Sequence, residues 1–189
     1  MEGLATVGLT PKGACGDVVR NVTGCPLAGI AHDEVIDASS LALEASQMLS
    51  GNPAFYNLPR KFKVSITGCP VWCSYPEIND VGFTPVTCIH NGHPEAGFSL
   101  RVGGGLSADP HLAVRLKAFI TPGQVLPVLR AVAEMFRDSD VLRENRRDHP
   151  REWEDFDQLR AQLDHIEAEK GTPRPTAVHD FLTDESDLN

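Results

Sequence analysis

The sequence predicts an α/β fold of two layers, an α+β arrangement in which a mixed, largely antiparallel sheet packs against helices. Three observations carry this. Short β-branched runs at 62–67, 81–89 and 97–102 are joined by brief links, which favour antiparallel neighbours. A helical pattern separates the strand-like segment around Arg20 from the run at 62, as in a crossover between strands. A second helical pattern over 121–138 carries one apolar stripe that needs a sheet to cover it. Composition agrees: 41% of the 189 residues are hydrophobic and 23% charged, so fibrous, collagen-like and wholly disordered classes drop out.

In chain order, residues 14–26 read as a short strand closing into a Cys25-Pro26 turn, with Arg20 in its middle. Asp37 is the expected N-cap of a helix over 38–49, where Leu41, Ala45, Met48 and Leu49 recur at helical spacing and Gly51-Asn-Pro ends the run. The strand at 62–67 leads through the Pro76–Asp80 turn to the strand at 81–89. The strand at 97–102 then ends in Gly103-Gly104-Gly105. That triplet reads as a tight turn into a helix over 110–119, capped by Ser107 or Asp109. Thr121 as N-cap and Pro122 at the first position open the helix to about Asp138. The expected organisation is one domain over 1–147, a peripheral amphipathic helix over 148–170 that keeps Phe156, Leu159, Leu163 and Ile166 in phase, and a disordered tail over 171–189.

A net charge of −9 argues against general binding to nucleic acid or to anionic membrane. No apolar run approaches the roughly 18 residues of a membrane span, and the first residues lack the pattern of a signal peptide, so a cytoplasmic protein is expected. The abrupt start predicts a truncated N-terminus. Five cysteines, an odd number, fit free thiols or metal ligation better than a disulfide framework. Seven scattered histidines, with no helical His pair and no Ser or Cys in a nucleophile motif, give no support to a hydrolase.

The stretch from Asn57 to Cys73 holds the chemistry. Arg60, Lys61 and Lys63 enter a strand whose alternation puts Lys61 and Lys63 on one face. They read either as a solvated edge kept positive against aggregation or as one wall of an anion pocket. Arg20, amid Val18, Val19 and Val22, is expected to be buried or half-buried, where a guanidinium wants a bound anion or carboxylate. Four cations converging there suit a small oxyanion or a polycarboxylate cofactor. Gly103, Gly104 and Gly105 either make a turn or let backbone approach a ligand. Cys69 and Cys73, three residues apart, have a spacing that serves iron–sulfur clusters, and Cys15 and Cys25 would complete four ligands; alternatively Cys15, Cys25 and Cys88 are small buried hydrophobes.

Four segments, Gly16–Gly29, Leu58-Pro-Arg-Lys-Phe-Lys63, Pro76-Glu-Ile-Asn-Asp80 and Leu100-Arg-Val-Gly-Gly-Gly-Leu-Ser107, together resemble the sirohaem-dependent nitrite and sulfite reductases over roughly residues 8–147. The resemblance implies the fold of that family's 4Fe-4S region, sirohaem coupled to a 4Fe-4S cluster, and six-electron reduction of sulfite or nitrite. It implies Arg20, Lys61 and Lys63 as substrate-facing catalytic cations, with Arg60, Asn21 and Gly103–Gly105 toward the cofactor. It also implies an electron donor such as ferredoxin or a flavoprotein. The chain looks like the first α/β module alone, a fragment whose partner is a second-half polypeptide carrying most of the cluster ligands. Cys69 and Cys73 imitate one ligand pair, whereas Cys15 and Cys25 do not match the spacing of the other. Two alternatives stand beside this: a non-catalytic metal or iron–sulfur module using Cys69 and Cys73, and a truncated relic inactive without its other half.

Overall fold

Along β2 (Phe62–Ile66), Phe62, Val64 and Ile66 are fully buried while Lys63 between them is half-buried, and this alternation organises the sheet. The computed structural model describes residues 14–140 apart from 72, 91, 108 and 109, together with residues 3, 6 and 7. The expectations for 148–170, 171–189 and an Asp109 cap lie outside the described residues. The remaining elements are β1 (Val19–Thr23), α1 (Ser39–Leu49), β3 (Val81–His90), β4 (His93–Val102), β5 (Val114–Ile120) and α2 (Val125–Asp138).

The five strands form one sheet in sequence order. β1 pairs parallel with β2 and β2 with β3, while β3–β4 and β4–β5 are antiparallel. The sheet is therefore mixed, with antiparallel contacts in two of its four pairings. The β2–β3 link is long enough to carry the chain back across the sheet and restore a parallel neighbour. Both helices cover one face, where Ala45, Leu49, Val125, Leu129, Val132 and Phe136 pack on the sheet's large side chains. Phe62 and Phe136 rings lie 5.1 Å apart between centroids, joining β2 to α2. No described α-helix covers the opposite face, and no helix among the described residues is long and apolar enough to cross a membrane.

One helix start follows its sequence signal and the other departs from it. The N-cap of α1 is Ala38, not the expected Asp37, and it makes no side-chain cap bond. Asp37, one residue outside, accepts the Ser39 N–H at Oδ1 at 2.9 Å, and hydrogen bonds from Ser39, its side chain first and its backbone second, lower the Asp37 pKa. Thr121 and Gln124 form a reciprocal capping box around a 3-10 turn, Pro122–Gln124, that leads into α2.

The expected helix over 110–119 is instead strand β5. Leu116, Ala118 and Ile120 turn inward, and the alternating Arg115, Lys117 and Phe119 turn to the opposite face. Short alternation beside an open sheet edge overrides the cap-like sequence signals of Ser107 and Asp109. Gly105 and His111 exchange two backbone hydrogen bonds of 2.9 Å, closing the β4–β5 connection as a bridge rather than a helix start.

Two glycines let the 3-10 turn Pro76–Ile78 lie directly on the sheet. A Cβ on Gly82 would stand 2.7 Å from Pro76 Cβ, and one on Gly104 would stand 2.3 Å from the Glu77 carbonyl oxygen and 2.6 Å from that of Asn79. Gly104→Ala is therefore expected to destabilise the fold by about 1–3 kcal/mol in urea unfolding, because rigid backbone must move. Unchanged stability would show that the turn does not pack there.

Candidate functional site

Parallel pairing of β1 with β2 gathers four of the expected site residues. Asn21 is the register partner of Lys63, and a register irregularity between Val19 and Asn21 falls at Arg20. Lys61 is two residues before Lys63 and shares its face. Arg20 and Lys63 are half-buried, whereas Asn21, Arg60 and Lys61 are exposed. The Arg20 guanidinium donates to the Ala14 carbonyl, which draws the approach to β1 against the strand. The chain enters β2 through Asn57, whose φ of 59° is a left-handed turn that asparagine tolerates, and the Leu58 and Phe62 N–H groups donate to Asp17 and Val18.

Lys63 is fixed from its other side by a residue that sequence reasoning missed. Asp80 is fully buried, and its Oδ2 accepts the Lys63 backbone N–H at 2.9 Å. Its carbonyl accepts the Gly103 N–H, also at 2.9 Å. The Lys63 ammonium reaches the Ile78 carbonyl at 3.4 Å. Gly104 N–H donates to Asn79 and Gly105 N–H to His111. The triplet's close backbone approach is thus to the chain's own 77–79 segment, and its three donors are engaged inside the protein.

The same face continues across the sheet. Ser65 pairs with Gly82, Gly82 with Arg101, and Arg101 with Arg115. Burial lowers the Arg101 pKa from its ordinary value, the Glu77 carboxylate opposes that shift, and Arg115 reinforces it. Arg101 alternates with the buried Leu100 and Val102, a signal that a strict period-2 reading would catch. Arg115 was hidden by the helix assigned to its segment.

The cysteines do not assemble. Cys69 and Cys88 are buried, Cys25 is half-buried, Cys15 and Cys73 are exposed, and all five are free thiols. Cys69 is held in a local turn with the Thr67 hydroxyl. Cys88, His90, His93 and Glu95 share one face of the β3–β4 hairpin, and burial pushes the Cys88 thiol up with a smaller push from Glu95. Among the described residues, no group of three or more His, Cys, Asp or Glu side chains is arranged to hold a metal ion. A four-iron cluster needs four thiolates, so the described residues do not fit one as a complete ligand set. The cations do fit a polycarboxylate or an oxyanion, because guanidinium and ammonium groups line neighbouring strands of the face that no described α-helix covers.

The chain is similar to known proteins over most of its length. The profile of the nitrite and sulphite reductase 4Fe-4S domain matches residues 15–160. The assimilatory ferredoxin-dependent nitrite reductase of Haloferax mediterranei is 38% identical over 139 residues, 72% of this chain and 24% of that protein. The sulfite reductase [ferredoxin] of Mycobacterium tuberculosis is 44% identical over 137 residues, 71% of this chain and 23% of that protein. The structure of the Mycobacterium tuberculosis NirA protein superposes with a TM-score of 0.71 at 39% identity, over 89% of this chain and 30% of that one. The chain spans about a quarter of the length of the curated relatives it matches.

Asp80→Ala removes the acceptor for the Lys63 N–H and is expected to cost about 1–3 kcal/mol or more in chemical unfolding. Asp80→Asn keeps an acceptor oxygen and should cost less. Equal losses for the two would show that the carboxylate's charge, not its hydrogen bond, holds β2.

Proposed function

The chain belongs to the nitrite and sulphite reductase 4Fe-4S domain family, and from that premise we propose that it is part of a sirohaem- and iron–sulfur-dependent reductase of sulfite or nitrite. Its contribution is the cationic face built by Arg20, Asn21, Arg60, Lys61 and Lys63. One observation carries this reading: parallel register sets Asn21 beside Lys63, with Arg20 and Lys61 adjoining, on the sheet face that no described α-helix covers.

Sirohaem, when bound, would supply the iron that takes the oxyanion and the electrons that reduce it. The chain's own groups have distinct parts. Arg60, exposed at the entry to β2, pairs with cofactor carboxylates. Lys61 and Lys63 hold protons at Nζ, compensate the negative charge of the oxyanion, and can donate those protons as its oxygens leave as water. Arg20 keeps its charge through such transfers, because a guanidinium does not deprotonate in proteins. The Asp80 bond fixes where β2 presents Lys63, so its reach is set before any ligand arrives.

The four thiolates of the cluster are assigned to another part of the enzyme, a second-half polypeptide or segment that also receives electrons from ferredoxin or a flavoprotein. Leu106, Leu112 and Val114, exposed by 63%, 68% and 54% around the β4–β5 connection, give that part an apolar surface to cover. Five free thiols suit a reducing compartment such as the cytoplasm.

Purified chain mixed with sirohaem should co-elute with the cofactor's visible absorption, Arg60→Ala should weaken that retention, and Lys61→Ala should weaken binding of sulfite or nitrite to the loaded chain. A chain that stays colourless contradicts the proposal. Iron analysis after cluster reconstitution should be the same for the wild type and Cys69→Ser; a loss in the variant would put a cluster ligand at Cys69.

A further inference from the structure

Arg101 on β4 and Arg115 on β5 are direct register partners, so two guanidinium groups stand side by side on one face. Like charges opposed across a ladder destabilise a sheet unless an anion lies between or over them. Glu77 is the carboxylate that acts on Arg101, and it projects from the turn that Gly82 and Gly104 allow onto the sheet. Arg115 is exposed beside Arg101, and Lys117 follows two residues later on the same strand.

The row also has a defined relation to the cationic site. Lys63 and Arg101 lie on strands two spacings apart, roughly 10 Å, and their side chains share a face. The Pro76–Ile78 turn lies between them, with the Ile78 carbonyl accepting from the Lys63 ammonium and the Glu77 carboxylate near enough to act electrostatically on Arg101. A ligand with a single anionic group reaches one patch. A macrocycle with carboxylates around its whole rim can reach both.

We infer that Arg101 and Arg115 form a second carboxylate-binding clamp, which takes a rim carboxylate of the anionic tetrapyrrole while Lys61 and Lys63 face its other side. Glu77 stands in for that carboxylate in the free chain and is displaced on binding. The inference rests on the reading of the cationic face as a sirohaem site and adds residues to it. A guanidinium pair holds a carboxylate through parallel N–H donors, which an ammonium cannot reproduce.

The test uses the full chain and uroporphyrin, an iron-free octacarboxylate porphyrin, with binding followed by porphyrin fluorescence and circular dichroism confirming that each variant is folded. Arg101→Gln and Arg115→Gln should each weaken binding about tenfold or more, the usual weight of a hydrogen bond to a charged group. Glu77→Gln should tighten binding, because it removes the internal competitor. An Arg101–Glu77 pair that serves only the fold would instead make Glu77→Gln and Arg101→Gln lose stability together and leave affinity unchanged, which overturns the inference. Weakening by Lys61→Ala with unchanged binding in both arginine variants would also overturn it while leaving the proposed function in place. No binding by the wild type would remove both.

Discussion

Asp80 exposes no surface, and its two oxygen acceptors tie the backbone of Lys63 on β2 to that of Gly103 at the end of β4. A buried carboxylate is costly unless hydrogen-bonded, so this position admits few alternatives. Its consequence is register. A slip of one residue on β2 would turn Phe62, Val64 and Ile66 out of the core and Lys63 into it. The division of the sheet into a helix-covered apolar face and a cationic face follows from that single placement, with the Phe62–Phe136 contact supporting it from the covered side.

The cationic face follows from what is left over when the core is satisfied. Both helices are needed to bury the large side chains of the five strands, and they do so from one side. The other side is closed only in part, by the Pro76–Ile78 turn over Gly82 and by Phe119 over Gly97. Polar residues there are buried in pairs: Ser65 with Ser74 at 2.8 Å, and Thr84 with Ser99 at 2.7 Å. Charged groups remain at both margins, Lys61 and Lys63 on one and Arg101 with Arg115 on the other. This arrangement gives a net acidic chain a local positive surface.

Much of this was legible because alternation is strong where strands are central. Phe62–Ile66 and Val81–Ile89 announced themselves, and so did the faces of Lys61 and Lys63. Both helices were legible from spacing, and the second from its cap as well. Two things were not. The segment 110–119 offered Ser107 and Asp109 as helix-start signals, and only the open edge of β4 makes a strand of it. The glycine triplet correctly signalled close approach, but sequence does not reveal that the approaching atoms are the carbonyls of Glu77 and Asn79. The spacing of Cys69 and Cys73 along one loop says nothing of whether ligands from elsewhere converge on it.

The central claim is that the face opposite α1 and α2 receives the anionic cofactor. Amide 1H–15N spectra of the full chain, titrated with the iron-free tetrapyrrole sirohydrochlorin, test it most directly. The account predicts shifts at Asn21, Lys61, Lys63 and Arg101, with Leu49, Leu129 and Val132 on the covering helices unmoved. Shifts confined to the helices, or none at saturating ligand, would contradict it.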